Sequence, residues 1–365
     1  MINDVSQGAI PALLPFLVME YGLSYLAVSG VVLSATVISS LIQPFLGFYS
    51  DRHSSPWLMP VGMLTGGIGI ALSGIATNYW LILACVLVSG IGVAAFHPEG
   101  SRYANYVSGQ SAQGMSYFTV GGTLGFALGP VLLTPLVLNL GLRGTLLMAV
   151  PSAILAIPLF MELPRLAKFR PVASKSEAGR DPSGSRWGAF SKLTGVIVLR
   201  TALYFGLMSF VPLYYIKIHH TSIGEANSGL IFMLLSGAVG SLLGGFMADR
   251  LGLKRVLVGS LFSTAPLLLG FLLTEGVLSM VMLSLTGMTT IGSASIAVLM
   301  GQSYLKSHIG IASGITIGSA IGLGGLGTPI LGAIADHFGL MAAMYSMIGL
   351  PVAGCVLALT LPDLN

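Results

Sequence analysis

Charge is what this chain has least of. Only 8% of its 365 residues are Asp, Glu, Lys or Arg, against about 25% in a soluble globular domain, so an ordinary water-facing surface is excluded. Cysteine is nearly absent too. Cys85 and Cys355 are the only two, and both lie inside apolar stretches, where a buried thiol acting as a small hydrophobe is expected rather than a disulfide or a reactive group. The opening MINDVSQGAIPALLPFLVMEYG has no basic start and no small-residue cleavage site, so no cleavable signal peptide is read there and the first apolar segment is expected to be retained. The missing leader also points to a truncated start.

What the chain has is apolar sequence. Hydrophobic residues make up 54% and glycine contributes 49 positions, arranged in runs close to the roughly 20 residues that cross a bilayer. Twelve spans are predicted, at 2–21, 25–47, 57–76, 79–96, 112–137, 144–162, 193–216, 226–247, 255–274, 277–300, 310–334 and 340–361. Backbone N–H and C=O groups find no partners in hydrocarbon, so spanning segments must be helices or a closed barrel, and unbroken runs without period-two alternation exclude the barrel. An all-α membrane protein with twelve transmembrane helices follows.

The sixteen Lys and Arg residues set the orientation. With both termini cytoplasmic, thirteen fall on the inner side, only Arg143 and Lys217 fall outside, and Arg200 lies within a span; the reverse topology inverts that ratio against the positive-inside rule. The net charge of +4 is thus anchoring charge facing the lipid bilayer, and nucleic acid is not an expected partner. Seven of the basic residues fall in one long loop, 163–192, whose ASKSEAGRDPSGSR composition reads as a flexible linker. It divides the chain into an N-terminal bundle, 1–162, and a C-terminal bundle, 193–365.

The two halves repeat each other. GFYSDR at 47–52 is echoed by GFMADR at 245–250, and Gly114, Gly122 and Gly125 by Gly314, Gly322 and Gly325. Six plus six spans with a parallel repeat is the plan of a secondary transporter. The Gly-x-x-x-Asp-Arg signature, completed as GFMADRLGLKR in the second half, resembles the loop motif of the major facilitator superfamily. Its physical logic is a gate: Gly47 and Gly245 allow close helix approach, Asp51 and Asp249 accept hydrogen bonds from a neighbouring helix end, and Arg52 and Arg250 pair with a carboxylate or the lipid surface. Solvated loop charges are the alternative.

A narrower resemblance rests on INDVSQGAIPALLPFL, LIQPFLGFYSDR, FHPEGSR and LRTALYFGLMSFVPLYY, which together look like the fosmidomycin-resistance branch of that superfamily. The resemblance implies two six-helix bundles and an exporter in a bacterial inner membrane that exchanges a small antibacterial compound for protons. It implies no enzyme activity. An uptake symporter or facilitator on the same scaffold, or a non-transporting membrane receptor or scaffold, are the alternatives. Drug/proton antiporters of the superfamily often carry an arginine in span four, four residues before a glycine; with Gly90 as that glycine, the position here is Val86, and proton coupling must fall to another residue.

Candidates for that task are Asp4, Glu99 and His97. An ionisable group in hydrocarbon costs at least ~2.5–3.5 kcal/mol and is by default functional. Asp4, with Asn3 and Gln7, forms a polar patch in span one; an ordinary N-terminal helix acid is the alternative. His97, Glu99 and Arg102 follow span four, where Pro98 is expected to end or kink the helix; Glu99 and Arg102 either pair with each other or help latch the gate. Arg200 and Tyr204, one turn apart in span seven, could hold an anionic group, unless the arginine snorkels to the surface. Gln43 and Tyr117 are weaker polar candidates. Gly121, Gly125, Gly129 and Pro130 form a small-residue stripe for close helix packing. His-x-Glu alone makes no metal site, and no Gly-x-Ser-x-Gly nucleophile motif is present. No cofactor or metal is expected; the partners are a small-molecule substrate, protons and lipid, and the protein is expected to be a monomer.

Overall fold

The computed structural model describes residues 1–52, 55–107, 112–168, 186–305, 312 and 314–363. Among these residues the chain is helical without strands. In order the helices are α1 (Ile2–Tyr21), α2 (Tyr25–Arg52), α3 (Leu58–Ser73), α4 (Tyr79–Val107), α5 (Ala112–Leu140), a 3-10 segment (Gly141–Met148) and α6 (Ala149–Leu166). Then come α7 (Trp187–Ile218), α8 (Ile223–Leu251), α9 (Leu253–Leu273), α10 (Gly276–Gly292), α11 (Ala294–Tyr304), a π-helical turn (Gly314–Ser319), α12 (Ala320–Gly325), α13 (Gly327–Phe338), α14 (Leu340–Ser346) and α15 (Gly349–Leu359).

Nine described segments are long and apolar enough to cross a bilayer, where the sequence predicts twelve. Most of predicted span five and all of span six lie in one apolar stretch, Val120–Leu166, of 47 residues, more than twice the roughly 20 needed for one crossing. Predicted span three is the shorter helix α3, of 16 residues. Predicted span eleven is broken into the π turn, α12 and α13, and its first residues lie outside the described part. Most of the 163–192 linker, with Arg170, Lys175 and Arg180, is also outside it, as is Lys306.

The chain divides into two compact units, Met1–Gly22 with Gly30–Ser176, and Leu23–Ser29 with Glu177–Asn365. Helix α2 therefore begins in the second unit and continues in the first. Within the first unit α1 packs on α5 and α3 packs on α4. No hydrophobic drive pulls helices together in lipid, so small residues that bring backbones into contact carry the association. A methyl added at Gly8 would lie 2.6 Å from Phe126 Cα, one at Gly129 would lie 2.7 Å from Gly8 Cα, and one at Gly125 would lie 2.8 Å from Asp4 Cβ. Gly121 is different: its nearest neighbour would be 3.9 Å away, in Met1. Helices α1 and α5 thus touch backbone to backbone over the lower part of the stripe.

In the second unit α8 packs on α10 in the same manner, and a methyl at Gly240 would lie 2.9 Å from Met288 Cα. Near the linker, Phe190, Leu193, Ile197, Leu257, Ile296 and Tyr304 share one buried cluster. The Tyr304 hydroxyl donates to the Pro362 carbonyl at 2.8 Å, and the Arg186 backbone N–H donates to the Tyr304 carbonyl at 2.9 Å.

Replacing Gly129 with alanine forces a backbone shift between α1 and α5 and should cost roughly 1–3 kcal/mol, read as a lower melting temperature of the detergent-solubilised protein. Gly121→Ala, with room for its methyl, should melt with the parent.

Candidate functional site

Two polar clusters are enclosed by otherwise apolar helices, one in each unit. In the first unit Asp4 lies in the first turn of α1, 4% exposed. Glycines on α5 make room for it: the carboxylate would be 3.8 Å from a methyl placed at Gly122. Its Oδ1 is 3.1 Å from His97 Nε2, and its Oδ2 accepts from the Met1 amine at 3.2 Å. The His97 ring is edge-on to Phe96 and Phe118, with centroids 6.0 and 6.4 Å away. Asp4 is therefore no surface acid; it is a buried carboxylate whose partner is a histidine, the one side chain that ordinarily changes charge near neutral pH.

Asn3 points elsewhere. It is 1% exposed, and both polar atoms of its carboxamide are enclosed without a hydrogen-bond partner; its Oδ1 would lie 3.5 Å from a methyl at Gly66 on α3. Gln7 is half-buried. Gln43 donates to Ser39 Oγ within its own helix at 2.9 Å.

Pro98 does not end α4. The helix runs through it to Val107, so His97, Glu99 and Arg102 are helical residues rather than part of a following loop. Proline is tolerated inside a membrane helix because neighbouring groups re-satisfy the freed carbonyl. Glu99 is wholly buried, and its Oε1 accepts the Ser55 backbone N–H at 3.2 Å. That contact fastens α4 to the chain entering α3, which the sequence does not disclose because the acceptor meets a main-chain donor. The side chains of Asp51, Arg52, Arg102 and Tyr117, together with the packing around Gly47, lie outside the described residues.

In the second unit Arg200 is half-buried on α7, and its Nη1 donates to the Thr290 carbonyl in the last turn of α10 at 3.1 Å. Snorkelling to the surface is thereby set aside for this conformation. The same carbonyl accepts from Ser293 Oγ at 3.2 Å, at the point where α10 gives way to α11. A cation beside carbonyls at the end of a helix is favoured by the helix dipole, and a side chain inserted into the backbone ladder is a recognised cause of such a break. Arg200 Nε and Thr290 Oγ1 are enclosed without partners. Tyr204, one turn along, is half-buried with its ring 5.3 Å from that of Phe205.

The second copy of the Gly-x-x-x-Asp-Arg motif ends α8. Gly245 is half-buried, Asp249 and Arg250 are exposed, and the Arg250 guanidinium lies 4.2 Å from the centre of the Phe246 ring. Such a cation–π contact holds the arginine near the helix surface. Among the described residues no group of three or more His, Cys, Asp or Glu side chains could hold a metal ion.

The chain is similar to known proteins along its whole length. It is 32% identical over 373 residues to an uncharacterised transporter of the superfamily type from Bacillus subtilis strain 168, covering 100% of this chain and 90% of that protein. It is 31% identical over 376 residues to the fosmidomycin resistance protein of Escherichia coli K12, again covering 100% and 90%. The nucleoside transporter NupG shares the fold, with a TM-score of 0.79 at 15% identity over 99% of this chain and 98% of that one. The family model of the Major Facilitator Superfamily matches residues 1–325, and the chain is a member of that superfamily of multi-pass membrane transporters.

Proposed function

We propose that this transporter works by alternating access and exports a small antibacterial compound from a bacterial inner membrane in exchange for protons, as a monomer with both termini cytoplasmic. Its two six-helix bundles, 1–162 and 193–365, are the moving parts, and 163–192 joins them. The observation that carries the coupling is the Asp4–His97 contact: a carboxylate 4% exposed and 3.1 Å from an imidazole nitrogen. A proton delivered to Asp4 neutralises it and weakens its hold on His97, while a charged pair holds α1 to α4. Proton loading therefore changes the strength of a contact between two helices, which is what coupling a proton to a conformational change requires. The export direction and the class of compound are supported by the full-length likeness to the fosmidomycin resistance protein.

Arg200 is the substrate-side partner, with Tyr204 beside it. One guanidinium nitrogen is committed to the Thr290 carbonyl, and the remaining donors are those offered to an anionic group on the compound. Asn3, Gln7, Gln43 and Tyr117 are assigned to shaping the polar surface around the transported molecule. The gate is assigned to Gly47, Asp51 and Arg52 with Arg102, and to Gly245, Asp249 and Arg250.

In proteoliposomes carrying an internal pH dye, addition of fosmidomycin should move protons opposite to the drug; movement in the same direction means symport, and no movement means that the protein is not a proton-coupled carrier of this compound. Asp4→Asn should abolish pH-driven export while leaving drug binding detectable. Arg200→Gln should raise the half-maximal drug concentration by about tenfold or more, the value of a charge-assisted hydrogen bond. A susceptibility panel in a host lacking its own pumps identifies the compound exported.

A further inference from the structure

The first turn of α2 is held by a carboxylate more than three hundred residues away. Asp336, on α13, accepts the Tyr25 N–H on Oδ1 at 2.8 Å and the Leu26 N–H on Oδ2 at 2.8 Å. The next donor, the Ala27 N–H, goes to Ser24 Oγ at 3.2 Å. A helix begins with N–H groups that have no partner within the helix, and a negative charge there is also favoured by the helix dipole. Ser24 supplies the local cap, and Asp336 supplies the other two acceptors with both of its oxygens. The backbone around it is built for close approach: a methyl at Gly332, one turn before Asp336, would lie 2.9 Å from the Tyr25 carbonyl oxygen and 3.0 Å from Leu26 Cα. The Tyr25 and Phe210 rings stand 6.3 Å apart beside it.

All of these contacts lie within the second unit, because Leu23–Ser29 cluster with that unit while α2 from Gly30 onward belongs to the first. A rearrangement that carries Gly30–Arg52 must therefore take this turn away from α13 or bend α2 near Ser29. Asp336 is exposed, so water can replace each bond as it breaks, and the cap is a contact that can open and re-form. We propose that Asp336 is a gating residue: its double cap on α2 latches the conformation described here, at the end of α2 remote from Asp51 and Arg52, and releases when the transporter changes state. The inference rests on the alternating-access reading.

The test is thiol accessibility, which needs no substrate. In a protein with Cys85 and Cys355 replaced by alanine, Val28→Cys places a reporter at a position 1% exposed just beyond the capped turn. Its labelling by a membrane-impermeant maleimide in nanodiscs should be slow. Asp336→Ala should speed it by roughly two- to thirtyfold, the range that a lost helix cap gives in an opening equilibrium. Asp336→Asn, which keeps an acceptor oxygen, should fall between. Gly332→Ala, which wedges the backbones apart, should speed it without touching the carboxylate. A control reporter, Leu257→Cys, wholly buried in the core near the linker, should label at the parent rate in every variant. Unchanged labelling of the α2 reporter in Asp336→Ala and Gly332→Ala overturns the latch, and so does equal acceleration at both reporters, which marks general loosening. If Asp336→Ala fails to fold, Asp336→Asn and Gly332→Ala decide. Failure of the drug and proton assays with a positive labelling result overturns the proposed substrate and coupling, while failure of labelling alone overturns the latch.

Discussion

A charge enclosed among helices that cross a bilayer has to find its compensation inside the protein, because hydrocarbon supplies none. Glu99, wholly buried, accepts a main-chain N–H of Ser55, and Asp4 and Arg200 obey this in different ways. Asp4 is met by His97; Arg200 is met by a main-chain carbonyl at the end of α10. In each unit the first long helix is thereby tied to the fourth, α1 to α4 and α7 to α10. In the first unit the tie joins two ionisable side chains. In the second unit it joins a side chain to a main-chain carbonyl.

The same need for internal partners explains where the helices depart from regularity. The α10–α11 break coincides with a carbonyl that two side chains, Ser293 and Arg200, both reach. Pro98 leaves α4 uninterrupted, and directly after it Glu99 reaches out to the main chain of Ser55. The π turn at Gly314–Ser319 falls in the half-repeat that mirrors the glycine stripe of α5. Irregular backbone in a membrane protein is tolerated where protein groups meet it, and each of these places lies next to a polar side chain or a run of glycines.

Composition and charge placement alone made the fold class legible: low charge, long apolar runs and a repeat leave little but a helical transporter. The small-residue stripe was legible as well, because glycines four apart lie on one helix face; that Gly121 has room while Gly125 and Gly129 do not was not, since this depends on how α1 lies against α5. Asp4, His97 and Arg200 stood out as ionisable residues at or near spans. Their partners did not. The Asp4–His97 pair joins residues 93 positions apart on different helices, and nothing in a single sequence marks such a pairing. Glu99 and Arg200 bond to backbone groups, which every residue possesses, so no residue type flags the partner. Pro98 was legible as a place where α4 ends or kinks; the helix continues through it to Val107, so of the two the ending is set aside.

The contact between α1 and α5 has a consequence for how this protein could be rebuilt from its relatives. Two backbones that meet at Gly8, Phe126 and Gly129 leave no layer of side chains between them to absorb a mismatch. A chimera that grafts the first helix of another transporter onto this one must import its fifth helix too, because these two segments, though distant in sequence, are fitted to each other as one part.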